Sequence, residues 1–402
     1  MKKRKALKKI LNPKTVAIIG ASPHEGKVGH TLMEKLSKFQ GKIIPVNPKH
    51  REILGKRTYH SLQEYSDKID LAIIAIPAEA VKDSLKDCAR KKIKNVIIIS
   101  AGFSEVGKKE LERELLQIAR QNKINLLGPN CFGIANPRIN LDTTFANNST
   151  EKGDIAFISQ SGALWSYLAD LKLLNQGFSG FISLGNMADL EFSDFIEYFN
   201  KDKNTKKIIL YMEKLKYGKR FIKACRKSKK EIVVVKAGAS EKGNQAVISH
   251  TGSLATDFKI YKGAFKQANV KLTNSLSEAV GLKTEFPKLP KAKTAIITNA
   301  GGAGALITDY LAEQKINLEA PIDILGTATP EDYKKTLKKL KVYKAIVVIL
   351  TPQTMSNPEK TAKVLAESKQ KKKIIAFFLG DKSISKAKNI LKRAGIPCYT
   401  KI

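Results

Sequence analysis

The 402-residue sequence is poor in cysteine and in long apolar runs. Its four cysteines, Cys88, Cys131, Cys225 and Cys398, lie far apart without a C-x-x-C pair, so neither a disulfide framework nor a cysteine zinc site is indicated. No stretch approaches the roughly 18 apolar residues of a membrane-spanning helix, and the basic segment 1–9 lacks the apolar run of a signal peptide. We therefore expect a soluble cytoplasmic protein with reduced thiols.

Acidic residues, arginine and aromatic residues are also scarce. The 37 Asp and Glu residues leave a net charge of +35 against 72 basic residues, of which only 10 are Arg. Such a surface attracts acidic proteins, nucleotides or nucleic acid. Sequence-specific nucleic-acid readers favour bidentate Arg and stacking aromatics, whereas aromatics are 7% of this chain and its Lys residues are scattered. A nucleic-acid binder is therefore the weaker interpretation of the charge.

Short apolar runs alternate with amphipathic segments along the chain. The runs are typical of strands buried on both faces and lie at 16–20, 43–47, 71–77, 96–102, 124–128, 155–159, 180–185, 208–213, 232–237, 294–298, 345–351 and 374–379. Segments such as 80–92 and 108–121 carry apolar residues at helical spacing. The alternation predicts an α/β fold with parallel sheets. Polar residues at 136–153 and prolines at 286–290 divide it into three doubly wound units, 1–140, 150–285 and 292–402.

The first glycine-rich turn, residues 20–29, leads from a predicted strand to a helix N-terminus, where N–H groups and the helix dipole favour a phosphate. It matches neither the Walker loop nor G-x-G-x-x-G. Asn47 and Lys49 follow the second strand, where an NAD site has a carboxylate, so the basic residue favours another phosphorylated nucleotide. The alternative is a glycine turn that any Rossmann-like unit needs for its fold.

His250 is one of five histidines and lies among small residues in a predicted loop. A neutral imidazole is a competent nucleophile toward phosphorus. Ser161 and Gly162, which open a predicted helix at 163–173, could stabilise the anion. Glu213 ends the strand 208–213 and could hydrogen-bond to the imidazole, which would fix its tautomer. The alternatives are a surface or packing histidine and a solvated glutamate.

A series of short motifs occurs in one order: VAIIGAS at 16–22, GKVG at 26–29, PVNPK at 45–49, SAGF at 100–103, GPNCFG at 128–133, SQSGAL at 159–164, LGN at 184–186 and SHTGSLA at 249–255. From about residue 10 to 355 the chain thus resembles the α subunit of ADP-forming acyl-CoA synthetases, acetate–CoA ligases related to succinyl-CoA synthetase. The resemblance implies an N-terminal Rossmann-like CoA-binding domain followed by two flavodoxin-like doubly wound domains, the last of them shortened.

The resemblance also implies roles for individual residues. His250 would carry a phosphoryl group between active centres, and Glu213 would support it. The implied CoA contacts are Gly20, Ala21, Ser22, Lys27, Asn47, Lys49, Ile76, Pro77, Ser100, Ala101, Gly102, Asn130 and Cys131, and the implied phosphate contacts are Ser161, Gly162, Thr251 and Gly252. Two features depart from the family: a stretch is missing after residue 323, and Phe132 stands where Leu or Pro is commoner.

The implied reaction converts acyl-CoA and phosphate into acyl phosphate and CoA, then transfers the phosphoryl group to His250 and on to ADP, and its reverse makes the thioester from acid, CoA and ATP. The family's ATP-grasp domain, which binds ATP or ADP and Mg²⁺, has no counterpart in this sequence. A separate β subunit, in an α₂β₂ assembly, is therefore expected, with no metal site in this chain. The alternative is a non-catalytic CoA-binding regulatory protein of the same fold.

Overall fold

The computed structural model describes residues 2–173, 176–251, 257–284, 286–287, 289–353 and 355–402, and the side chains of all of these except 2–6 and 249–251. Over these ranges the chain forms successive α/β units, each built around five parallel strands. None of the helices within them is both long and apolar enough to cross a bilayer. The α/β class expected from the sequence is confirmed.

The first sheet is formed by residues before 128. Its elements are α1 (Lys2–Leu11), β1 (Thr15–Ile19), α2 (Val28–Lys35), β2 (Lys42–Val46), β3 (Glu52–Ile53), β4 (Lys56–Arg57), β5 (Leu71–Ile74), α3 (Ala78–Arg90), β6 (Asn95–Ile98), α4 (Lys109–Gln121) and β7 (Asn125–Leu127). The parallel order is β2-β1-β5-β6-β7, and β3 pairs with β4 as a separate hairpin. Strands β1, β5 and β6 are buried along their whole length, because helices cover both faces of the sheet.

The second sheet follows. Its elements are β8 (Ile134–Asn136), β9 (Leu141–Asp142), β10 (Lys152–Ser159), α5 (Ala163–Asp170), β11 (Phe178–Ser183), α6 (Phe192–Lys201), β12 (Lys207–Met212), α7 (Gly218–Arg226), β13 (Glu231–Lys236), α8 (Glu241–Thr251), α9 (Phe258–Ala268), β14 (Lys271–Thr273) and α10 (Leu276–Ala279). The strand order is β14-β13-β12-β10-β11-β8-β9. The connection from β13 to β14 contains two helices, α8 and α9, and α8 is therefore an addition to the usual strand–helix–strand unit.

The third sheet completes the chain. Its elements are β15 (Thr294–Thr298), α11 (Gly301–Glu313), β16 (Ile322–Asp323), α12 (Pro330–Lys339), β17 (Ala345–Leu350), α13 (Pro358–Glu367), β18 (Ile374–Phe378), α14 (Ser385–Arg393) and β19 (Cys398–Tyr399), in the strand order β16-β15-β17-β18-β19. Short 3₁₀ turns lie at Leu36–Lys38, Leu62–Glu64, Ser104–Val106, Pro137–Ile139 and Lys371–Lys373. All twelve apolar runs identified in the sequence coincide with strands.

All of these sheets share one strand order when their parallel strands are counted along the chain: second, first, third, fourth, fifth. This is the flavodoxin-like order, in which a ligand crevice lies at the carboxyl ends of the first and third strands. These strands are β1 and β5 in the first sheet, and β10 and β12 in the second. In the third sheet Asn299, after β15, donates to Thr351 O (3.0 Å) and accepts from Thr351 N (2.9 Å), after β17. Those bonds join the two strand ends directly across the crevice of the third sheet.

Alternate residues of each strand face different apolar clusters. In β10, Ala156 and Ile158 face a cluster that includes residues of the first sheet, whereas Ile155 and Phe157 face one that includes residues of the third. The outer faces of the first and third sheets contribute to two further clusters. Sheets and apolar layers therefore alternate, and the second sheet lies between the other two.

Several local expectations differ from the structure. Strands β8 and β9 join the second sheet, β8 antiparallel to β11, so residues 134–142 extend that sheet. Helix α5 ends at Asp170 instead of 173, because Leu171 has an extended backbone. The loop expected around His250 is helical up to Thr251. The boundaries of the three units stay predictions.

Candidate functional site

The loop after β1 is shaped by glycines at the crevice of the first sheet. Gly20 has φ +93°, and a Cβ there would collide with Ala75 O and lie 2.7 Å from Ile76 Cγ2. A Cβ on Gly29, in the first turn of α2, would collide with Gly20 O. Both glycines are therefore required by the packing of α2 against the strand end, with or without a ligand. Lys27 precedes α2 and forms no side-chain cap.

Asn47 connects the loops after β1 and β2. Its amide donates to Ala21 O (2.8 Å), and its side-chain oxygen accepts from Lys49 N (2.8 Å). The Ser22 hydroxyl accepts from His24 N (3.1 Å). The side chains of Lys27 and Lys49 are exposed. Their ammonium groups can therefore meet phosphate groups that lie against these loops.

Ser100 connects the ends of β5 and β6. Its hydroxyl donates to Ile76 O (2.5 Å) and accepts from Ile76 N (3.3 Å). Ala101 is exposed, and Gly102, with φ +108°, donates its N–H to Glu105 Oε1 (2.5 Å). The structure thus brings the residues expected to bind CoA in the first sheet together along one edge, with Pro77 directly before α3.

The loop after β7 leads into the second unit. Asn130 donates its backbone N–H to Ser100 O (2.9 Å) and its side-chain amide to Asn186 Oδ1 (3.2 Å). The Cys131 thiol lies in the apolar cluster between the first and second sheets, 4% exposed, and donates to Ile98 O (3.3 Å), and its contact with CoA stays a prediction. Burial raises the pKa of Cys131 to about 12. Both residues thus lie where the two units meet: Asn130 hydrogen-bonds to each of them, and the Cys131 thiol is buried in the apolar layer between them.

Asn186 joins the first and second units, a role that the sequence reasoning missed although it quoted the LGN motif. Its amide nitrogen lies 3.1 Å from Ser104 Oγ, 2.6 Å from Glu105 Oε2 and 2.8 Å from Glu112 Oε2. These acceptors belong to the turn and helix that follow β6. The amide therefore connects the loop after β11 to the edge of the first sheet.

The loop after β10 is held rigidly at the crevice of the second sheet. Ser159 Oγ donates to Ser161 O (2.6 Å) and accepts from Ser161 N (3.1 Å). Gln160 Oε1 accepts from Glu213 N (2.6 Å) and Lys214 N (2.9 Å), which links this loop to the loop after β12. Ser161 and Glu213, expected to act on the same phosphoryl group, are thus held on neighbouring loops.

Phe132 packs against the start of α5. A Cβ on Gly162 would collide with Phe132 Cβ, and the rings of Phe132 and Phe145 have centroids 3.8 Å apart. The residue is 5% exposed and belongs to the cluster between the second and third sheets. In this structure, the residue that departs from the family pattern has a packing role.

Glu213 lies beside the first turn of α11. It is 6% exposed, and its Oε1 is 3.2 Å from the Tyr211 hydroxyl, which is also 3.2 Å from Gly302 O. A Cβ on Gly302 would lie 2.6 Å from Ser161 Oγ. Burial, with the nearby Glu213 carboxylate, raises the pKa of Tyr211, so its hydroxyl stays protonated. The glycine-lined starts of α5 and α11 therefore meet beside Glu213.

The backbone of His250 lies in the last turn of α8. The side chains of His250 and Thr251, and Gly252 entirely, lie outside the described residues. The pairing of His250 with Glu213 and the phosphate contacts of Thr251 and Gly252 therefore stay predictions.

Lys236 is a buried cation near this site that the sequence reasoning missed. It ends β13 opposite Met212, donates to Ala237 O and lies 4.4 Å from the centre of the Tyr261 ring. Burial lowers its pKa to about 8, against the opposing effect of the Asp309 and Glu213 carboxylates. The signal in the sequence was a lysine directly after the four apolar residues 232–235.

Two family models match the chain: a CoA binding domain over residues 14–137, and a succinyl-CoA ligase like flavodoxin domain over residues 152–284. The chain is 43% identical to the ADP-forming acetate–CoA ligase of Methanocaldococcus jannaschii, with 98% of this chain and 61% of that protein covered. It is 39% identical to the α subunit of the ADP-forming acetate–CoA ligase II of Pyrococcus furiosus, with 96% and 93% covered.

Solved structures of acetyl-coenzyme A synthetases are also similar to this chain. The chain is similar to the dinucleotide forming acetyl-coenzyme A synthetase 1 of Ca. Korarchaeum cryptofilum in complex with phosphate and ADP, at 32% identity and a TM-score of 0.64, with 98% of this chain and 93% of that chain covered. The chain spans 61% of the length of the M. jannaschii protein and of an Archaeoglobus fulgidus relative that is 38% identical.

Proposed function

The chain belongs to the family of the ADP-forming acetate–CoA ligases, and we propose that it acts as the CoA-binding, phosphohistidine-carrying α subunit of such an enzyme. The proposed reaction interconverts acyl-CoA, ADP and phosphate with an acid, CoA and ATP. It proceeds through an acyl phosphate and a phosphorylated His250. A cytoplasmic location stays a prediction.

One observation carries the proposal. Ser161, Glu213 and the first turn of α11 meet through Tyr211 at the crevice of the second sheet. Helix starts favour anions, and a buried carboxylate beside them suits an imidazole that becomes positively charged as it reacts. The arrangement supports a histidine that accepts a phosphoryl group between these elements.

The chemistry takes three transfers. A phosphate oxygen attacks the thioester carbon, the C–S bond breaks, and the CoA sulfur leaves and takes up a proton. An imidazole nitrogen of His250 then attacks phosphorus, and the carboxylate of the acid leaves. Finally, an oxygen of the ADP β-phosphate attacks the same phosphorus and frees the imidazole. Glu213, by accepting a hydrogen bond from the other ring nitrogen, would keep the attacking nitrogen unprotonated.

The first sheet fits CoA as the substrate. Lys27 presents an exposed ammonium group at the start of α2, and Lys49 presents one in the loop that Asn47 ties to Ala21, which suits the phosphates of the nucleotide end. Asn130 and Asn186 lie where the first unit meets the second. We place the thioester end of CoA near these amides, because they lie where the first unit meets the second, and the phosphate loop after β10 belongs to that second unit.

The proposed partner is an ATP-grasp β subunit that binds ATP or ADP with Mg²⁺, in an α₂β₂ assembly. In support, the chain covers 93% and 94% of two Pyrococcus furiosus relatives that are named as α subunits. The net charge of +35 suits a partner with an acidic surface, because complementary charge steers association.

The test is phosphate labelling from ATP in the presence of the β subunit. His250→Ala should abolish the label, because a methyl group cannot accept a phosphoryl group, while CoA binding and thermal stability stay unchanged. Glu213→Gln should slow labelling by roughly 10- to 100-fold without preventing completion, as is typical when the partner of a reacting imidazole is changed.

Glu197→Gln, an exposed carboxylate on α6, is the matched control and should label at the wild-type rate. Label that survives in His250→Ala would refute the assignment. A wild-type chain that binds CoA and its partner but is never labelled would instead indicate a non-catalytic CoA-binding protein.

A further inference from the structure

Asp309 of α11 is a buried carboxylate whose two oxygens accept hydrogen bonds from one short segment of the second unit. It is 7% exposed. Its Oδ2 accepts from Gly238 N (2.7 Å) and Ala239 N (3.0 Å), and its Oδ1 accepts from Ser240 N and Ser240 Oγ (both 2.7 Å). Four donors from three consecutive residues thus converge on a side chain of the third sheet's first helix.

This segment leads directly into α8. Ser240 Oγ, while it donates to Asp309, accepts from Gly243 N (2.9 Å) in the first turn of that helix. A Cβ on Gly243 would collide with Asp309 Oδ1, so the first turn lies directly against the carboxylate. A helix start has N–H groups that need acceptors outside the helix, and here Ser240 Oγ accepts from Gly243 N while the Asp309 carboxylate holds residues 238–240 directly before the helix. The start of α8 is therefore located by Asp309.

The same helix, α11, reaches the phosphate loop at its other end. Gly302 contacts Ser161 and the Tyr211 hydroxyl, and that hydroxyl contacts Glu213. Asp309 lies seven positions after Gly302, which is about 10 Å along a helix. One rigid element thus contacts both the loop beside Glu213 and the start of the helix whose last turn contains His250.

We propose that Asp309 is a positioning residue for phosphoryl transfer: it fixes the first turn of α8, and through it the approach of His250, relative to Ser161 and Glu213. The proposal rests on the proposed function, in which His250 is the phosphoryl acceptor. It assigns a side chain of the third unit a part in the chemistry of the second unit, without direct contact between Asp309 and the phosphoryl group.

The competing explanation is that Asp309 only docks the third unit onto the second. Asp170 is the matched control for such a docking role. This aspartate is buried at the same boundary and accepts from Asp381 N (2.8 Å), Ser383 N (3.0 Å) and Ser383 Oγ (2.5 Å). It is the last residue of α5, at the end remote from the phosphate loop. Asp170 therefore docks the third unit through residues 381 and 383, and among the described residues none of its hydrogen bonds goes to α8.

The experiment compares Asp309→Asn with Asp170→Asn in the complete complex. Asparagine keeps one acceptor oxygen but replaces the other with an NH₂ group, whose N–H bonds oppose the donors that this second oxygen accepts in the wild type. We expect Asp309→Asn to slow His250 labelling from ATP by about 10- to 100-fold, the range that a misplaced reacting group produces, and to lower kcat with an unchanged KM for CoA. Asp170→Asn should lower the melting temperature but label at the wild-type rate.

Gly243→Ala gives an independent variant, because its methyl group displaces the first turn of α8 while every acceptor is retained. It should reproduce the slow labelling, and it decides the matter if Asp309→Asn fails to fold. Wild-type labelling rates in Asp309→Asn or Gly243→Ala, or an equal loss in Asp170→Asn, would overturn the positioning role. Absence of label in the wild type would overturn the proposed function itself and this proposal with it.

Discussion

Lys236 carries a positive charge into the interior at the carboxyl end of β13. The residue is 5% exposed, and burial lowers its pKa from 10.5 to about 8. Below pH 8 the ammonium is charged in both the folded and the unfolded chain, so the folded state bears the full penalty of burying it. Between pH 8 and 10.5 the folded chain has lost this proton while the unfolded chain still binds it. The free energy of unfolding therefore rises with pH across this range.

Replacement of this lysine should therefore have a pH-dependent effect. Lys236→Met should raise the free energy of unfolding by up to about 3 kcal/mol at pH 7, the equivalent of the pKa shift, and the gain should shrink toward pH 10.5. Denaturant unfolding of both proteins between pH 7 and 10 measures the difference. Lys229→Met, at an exposed site, should show little difference at any pH. A pH-independent gap for Lys236→Met would contradict the buried-charge explanation.

The position of helix α2 depends on Gly29, which has no side chain. A Cβ on Gly29 would collide with Gly20 O, at the point where β1 turns toward the helix. Gly29→Ala should push α2 away from the strand end, at a cost of about 1–3 kcal/mol in stability. Because the predicted CoA phosphates lie at this helix start, affinity for CoA, measured by calorimetry, should fall as well.

Gly263→Ala provides the matched control for that variant. Gly263 lies in α9, and a Cβ there would have open space around it. Alanine in an exposed helix interior should raise stability by up to about 1 kcal/mol and leave CoA affinity unchanged. Equal effects of the two substitutions would show that close packing against Gly20 is not the cause.

At the scale of the whole molecule, the second sheet shares an apolar layer with each of its neighbours. The layer toward the third sheet joins Phe157 and Trp165 with Ile296, Ile349 and Phe377. Although the prolines at 286–290 suggest a linker, the units on its two sides are not separate bodies with separate cores.

Removal of the third unit should therefore damage the second. A chain ending at residue 285 loses Ile296, Ile349 and Phe377 from the shared layer, and the uncovered apolar face should bind a hydrophobic dye and self-associate. Dye fluorescence and size-exclusion chromatography, with the full chain as the control, measure both effects. A monodisperse truncated chain without dye binding would show that the layer is not needed for the fold of the second unit.

The sequence by itself determined the strands, their burial and the parallel α/β class. Apolar runs such as 71–77 can lie only where both faces are covered, and that requirement is local to the run. It also placed Glu213 and Ser161 at the same sheet edge, because parallel strands put their carboxyl ends together. Residues 134–142, short and at a sheet edge, gave no such signal.

Only the tertiary structure decided which distant groups meet. It turned the Cys131 thiol into the core, buried Lys236, and brought Asp309 to residues 238–240. These contacts depend on how one sheet packs against the next. That packing joins residues about 70 positions apart, and the local sequence around one of them does not predict its contact with the other. For this reason the chain predicts which loops end neighbouring strands, whereas the contacts between distant loops require the folded molecule.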